Sequence, residues 1–83
     1  MTNYRNATTP DALTDVRQRI GRLVAEYAQM GARVDEIHAA RMVRDIFASL
    51  IADDAINGTS QPDRHFVARY AAAMLILAGD EPA

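Results

Sequence analysis

Eighty-three residues without a cysteine make one domain, near the size at which a single core is only marginally sufficient, and leave no disulfide or thiolate-metal staple to help it. A formal charge of −2 weighs against broad electrostatic attraction to nucleic acid. All nine basic residues are arginine, which reads as a compositional bias, as a surface kept free of lysine-directed modification, or as one that uses arginine's planar contacts.

Met1 to Thr8 is polar and lacks periodicity, so it reads as a frayed arm (1–8) ahead of a single helical domain (9–79). Asn6-Ala7-Thr8 and Asn57-Gly58-Thr59 match the glycosylation acceptor pattern; with no secretory leader expected, both are read as chance. Thr9-Pro10-Asp11 is a helix start. Threonine can cap, proline fits the first helical position, and aspartate faces the positive end of the dipole. The first helix is expected over about 10–30. Leu13, Val16, Ile20, Leu23, Tyr27 and Met30 form one apolar seam at alternating three- and four-residue steps, broadened by Val24. On its polar side Asp15 and Arg19, and Arg22 and Glu26, stand four apart and can pair. With acidic partners in reach, the arginines here read as a solvated face. Gly21 lies off the seam and costs the helix little.

Gly31 is placed to end this helix in a left-handed conformation. A short connection through Ala32, Arg33 and Val34 makes the first two helices antiparallel neighbours. The second helix is expected over about 35–52 with Asp35 as its cap, and it reads as central. At ~100° per residue its apolar positions, from Ala39 to Ile51, cover roughly 180° of the circumference, and Ile37 and Ala48 widen the arc. Continued further, the helix would turn Asp54 into that arc, and an unpaired buried carboxylate costs several kcal/mol. The helix is therefore expected to stop near Ala52, with the alternative that Asp54 is buried against Arg64. Asn57 to Pro62 carries every local turn signal. Ser60 with Asp63 resembles a capping box, and the third helix is expected over about 61–78, followed by a frayed acidic tail (80–83).

The third helix has two apolar faces. Phe66, Val67, Tyr70, Ala71, Met74, Leu77 and Ala78 share one and are expected to complete the core. Ala68, Ala72, Leu75 and Ile76, interrupted only by His65 and Arg69, share the other. A lone three-helix unit has no use for that second face, so Ala68, Arg69, Ala72, Leu75 and Ile76 are expected to form a homodimer contact. The longest apolar run, Tyr70 to Ala78, is too short to span a bilayer, and the cytoplasm is the expected compartment.

Little presents itself for chemistry. Asp35-x-x-His38 could put two ligands on one metal, but no third lies within local reach and zinc needs three or four. His65, beside Asp63 and Arg64, reads as a solvent-facing residue. There is no nucleophile elbow, thiol or phosphate loop, and no catalytic residue, cofactor or metal is expected. The fold class is thus all-α, a three-helix bundle completed by dimerisation. The function read from it is a small protein-interaction module, an adaptor, inhibitor or accessory regulator of bacterial or phage type. Arg41 and Arg44 are the recognition residues, because arginine is enriched at interface hot spots, and Asp53 and Asp54 present an acidic knob. The alternative is a nucleic-acid-binding regulator using Arg33, Arg41 and Arg44, with His38 adding charge at low pH.

Overall fold

A computed structural model describes residues 4–58 and 63–79, and among these the chain is entirely helical. Four helices occur in chain order: α1 (Tyr4–Ala7), α2 (Pro10–Gln29), α3 (Glu36–Ile56) and α4 (Arg64–Ala78). Local signals set most of their ends. The Thr9 side chain accepts a hydrogen bond from the Ala12 amide at 3.1 Å, and Pro10 opens α2 where its missing N–H is harmless. Gly31, at φ +82°, turns the chain out of α2 while the Ala32 amide donates back to the Tyr27 carbonyl at 2.9 Å. Asp35 caps α3 by accepting from the His38 amide at 2.7 Å.

Three boundaries differ from expectation. The turn Tyr4–Ala7 is helical where a frayed arm was expected. The second differs because α3 continues one turn past Ala52, to Ile56. Asp54 does not end it, because its half-buried carboxylate accepts the Asp63 amide at 3.3 Å and so closes the connection to α4. Arg64 is exposed, and among the described residues it forms no ion pair with Asp54. Thirdly, α4 starts at Arg64, capped by Asp63 accepting from the His65 amide at 2.8 Å. The expected cap, Ser60, lies outside the described residues, as do Gln61, Pro62 and the acidic tail.

The larger correction concerns which helix is central. It is α4, which packs against α1, α2 and α3, rather than α3. Ala12, Leu13, Val16 and Ile20 of α2, Ala39, Ala40, Val43 and Phe47 of α3, and Ala68, Ala72 and Ala73 of α4 make one continuous core. The small residues of α4 let its neighbours approach closely. The face of α4 expected to dimerise is therefore interior: Ala72 and Leu75 are 0% and 3% exposed, Ala68 is buried, and Ile76 packs half-buried on the core. Part of the cover comes from the segment read as an arm. The Tyr4 ring meets Tyr70 edge-on at 6.3 Å, and the Thr8 hydroxyl donates to the Ala68 carbonyl at 2.9 Å. Arg69, assigned to the same face, is drawn onto α2. Phe66, Val67, Tyr70 and Met74, expected to fill the core, lie half-buried at its margin, and Ala78 is exposed.

Candidate interaction surface

Asp15 organises the charged side of the helix junction. Its Oδ2 accepts from Arg19 Nε, one turn on in α2, and from Arg69 Nε of α4, each at 2.8 Å. Arg69 also donates through Nη1 to the His65 carbonyl at 3.1 Å, which fixes its fork. The Arg19 guanidinium then lies 5.4 Å from the centre of the Phe47 ring on α3, and Phe47 touches Phe66 of α4 at 6.2 Å. One carboxylate thereby ties three helices through two arginines and an aromatic pair. The hydrogen bond from Arg19 holds the Asp15 carboxyl below the usual carboxylate range; Arg69 adds to this and partial burial opposes it.

These groups are committed to holding the fold. One stretch of exposed surface away from them lies on α3. Ile37, Arg41, Arg44, Ala48, Ala52 and Ala55 recur at three- and four-residue steps, which places them on one side of the helix within about 100° of arc. Apart from Arg44, which is half-buried, all of them are exposed. Ile37 is 59% exposed, although it is a large branched apolar residue. It stands at the lip of a groove of about 420 Å³ where α2, α3 and α4 meet. Ile20, Ala40, Ile76 and Leu77 give this groove its apolar lining, and Arg17 and Glu36 stand at its rim. Gly21 keeps the α2 wall low: a Cβ built there would meet nothing within 4 Å. A second, smaller hollow of about 220 Å³ lies between α2 and α3, where half-exposed Ile46 stands beside Leu23, Arg22 and Glu26.

The residues expected to recognise a partner separate into two groups. Arg41 and Arg44 share the exposed side of α3 just described. The Arg44 Nε is held by Asp45 at 3.0 Å, while Arg41 forms no ion pair among the described residues. Asp53 and Asp54, expected as an acidic knob, lie in the last turn of α3. They project to different sides of α3, and Asp54 is used by the Asp63 amide. Arg22 and Glu26, expected to pair, form no ion pair among the described residues. Sequence reasoning had marked Ile37 and Ala48 only as widening a buried arc. Their side of α3 is open because the helix buries the side carrying Ala39, Ala40, Val43 and Phe47, and periodicity within one helix does not say which half of a broad apolar arc the neighbours will cover. Among the described residues no group of three or more His, Cys, Asp or Glu is placed to hold a metal, and no helix is long and apolar enough to cross a membrane. Compared with models of known families, with curated proteins and with solved structures, the chain matches none.

Proposed function

We propose that this chain is a small helical interaction module, an adaptor, inhibitor or accessory regulator, that acts by docking the open side of α3 and the adjoining groove onto another protein. The observation that carries the reading is Ile37, more than half exposed at the edge of an apolar groove. Leaving the exposed part of a branched aliphatic side chain in water beside an unfilled apolar hollow forgoes somewhat more than half of the about 1.5–3 kcal/mol that full burial of such a residue is worth. A partner side chain seated in the groove would recover that burial for both molecules, and exposed apolar patches of this kind mark association sites. Arg41 and Arg44, one and two turns beyond Ile37 on the same side of α3, serve as the polar anchors.

The test is affinity capture from the source cells with four chains: wild type, Ile37→Glu, Ala48→Arg and Ser49→Arg. Position 49 is exposed on another side of the same helix. All four should keep the wild-type helical circular dichroism, since changes at exposed sites shift stability by about 0.5 kcal/mol or less. The partner should be lost with Ile37→Glu and Ala48→Arg and retained with Ser49→Arg. Equal capture by all four chains would rule out this side of α3 as the docking surface.

A further inference from the structure

We infer that two copies of this chain associate through the hollow between α2 and α3, with Arg22 of each copy paired to Glu26 of the other and Ile46 of each laid on the other's hollow. This contact is distinct from the docking surface on the far side of α3, and neither depends on the other. The hollow, of about 220 Å³, has an apolar lining of Leu23, Val43, Ile46 and Phe47, and Arg22 and Glu26 stand on its α2 side. Ile46 is 50% exposed there. Arg22 and Glu26 are both exposed, lie four residues apart, and form no ion pair among the described residues. A cation placed ahead of the anion is the weaker order for pairing along one helix, so both charges stay available to another chain.

Symmetry selects the occupant. A closed contact between identical chains is built by a two-fold axis, which brings residue i of one copy to residue j of the other and j to i. Such a surface must carry its own complement. An axis crossing α2 at Val24, midway between the two charges, sets Arg22 of each copy against Glu26 of the other, two opposite-charge pairs from one operation. The same axis passes beside the hollow, because Arg22, Leu23 and Glu26 line it, and Ile46 at its edge is then the projection that the other copy's hollow receives. A uniformly acidic partner would meet Glu26 and a uniformly basic one would meet Arg22, and like charges set together oppose association. A second copy brings the matching order by construction. Ile37 lies about 180° around α3 from Ile46, so the pair presents two docking surfaces directed away from the contact.

The experiment measures the mass of the full chain in solution by sedimentation equilibrium for wild type, Arg22→Glu, Glu26→Arg and Ile46→Glu. Wild type should be a dimer at high micromolar concentration. Arg22→Glu sets like charges together twice in every pair, as does Glu26→Arg, and either alone should weaken the dimer about tenfold or more. An equimolar mixture of those two chains should restore it, since one then carries two anions at these positions and the other two cations. Ile46→Glu should abolish the dimer, and Ala48→Arg, on the docking side, should leave it unchanged. All these positions are exposed, so each chain should keep its helical circular dichroism. Should Ile46→Glu fail to fold, Ile46→Ser gives the same readout. A monomeric wild type overturns the contact and leaves the docking surface standing. So does a dimer indifferent to the changes at positions 22, 26 and 46, or one that the mixture does not restore. A dimer lost with Ala48→Arg overturns it in favour of self-association through the docking side.

Discussion

Replacing Asp15 by asparagine tests whether one carboxylate holds the helices together. The side chain keeps its shape, so Arg19 and Arg69 lose the charge and keep a weak acceptor. The two bonds are unequal. Arg19 is 46% exposed and sits four residues along the same helix, which places its contribution at about 0.3–0.5 kcal/mol. Arg69 is 22% exposed, reaches from another helix, and is held by a second bond to the His65 carbonyl, so about 1 kcal/mol is the fitting figure for its charge-assisted bond. The sum is about 1.5 kcal/mol, or a fall in Tm of roughly 6–12 °C for a domain of this length. A double-mutant cycle between Asp15→Asn and Arg69→Met, by urea unfolding, should return a coupling of about 1 kcal/mol. A coupling below about 0.3 kcal/mol would mean that the Asp15–Arg69 contact spans the helices without stabilising them.

Acid should erase the same difference. Because the folded-state pKa of Asp15 is lowered, its contribution is present above the unfolded value of about 3.9 and is lost as pH falls through the folded one. The stability gap between wild type and Asp15→Asn, followed by denaturant midpoints, should be level near neutrality and close below about pH 4. Ala72→Leu adds bulk at a fully buried position and should cost about 1–3 kcal/mol; a neutral result by thermal melting would return this face of α4 to the surface. Tyr4→Ala should lower stability by about 1 kcal/mol through loss of the edge-on contact with Tyr70, and an unchanged melt would detach α1 from the fold. Thr9→Ala should cost about 1 kcal/mol by uncovering the first amides of α2, visible as faster hydrogen exchange at Ala12.

What could be read from the chain and what could not divide along a physical line. Features written within a few residues were legible: the Thr9-Pro10 start, the Gly31 stop, the Asp35 cap and the Asp15–Arg19 pair all follow from spacing. Features set by distant partners were not. Asp54 looked like a helix stop because the amide that takes its carboxylate lies nine residues on. The second face of α4 looked like a dimer contact because α4 also packs against Tyr4–Ala7, a single turn with no period to detect. Ile37 was counted with the core for the same reason in reverse. Its apolar character was visible, but its exposure depends on which side of α3 the third partner takes.

The position of α4 has a consequence for how the chain acquires its shape during synthesis. The Thr8–Ala68 bond joins residues 60 apart, and the Arg69–Asp15 pair joins residues 54 apart. A nascent chain that has released α2 and α3 holds two apolar helices that lack the element both are moulded around. Their hairpin is loose until the ribosome has let go of α4, and only then can the opening turn at Tyr4 find its seat. Closing loops of that length is the slow step in a fold otherwise built from fast local turns. The molecule is therefore most vulnerable to proteases and to stray association in the interval before α4 arrives.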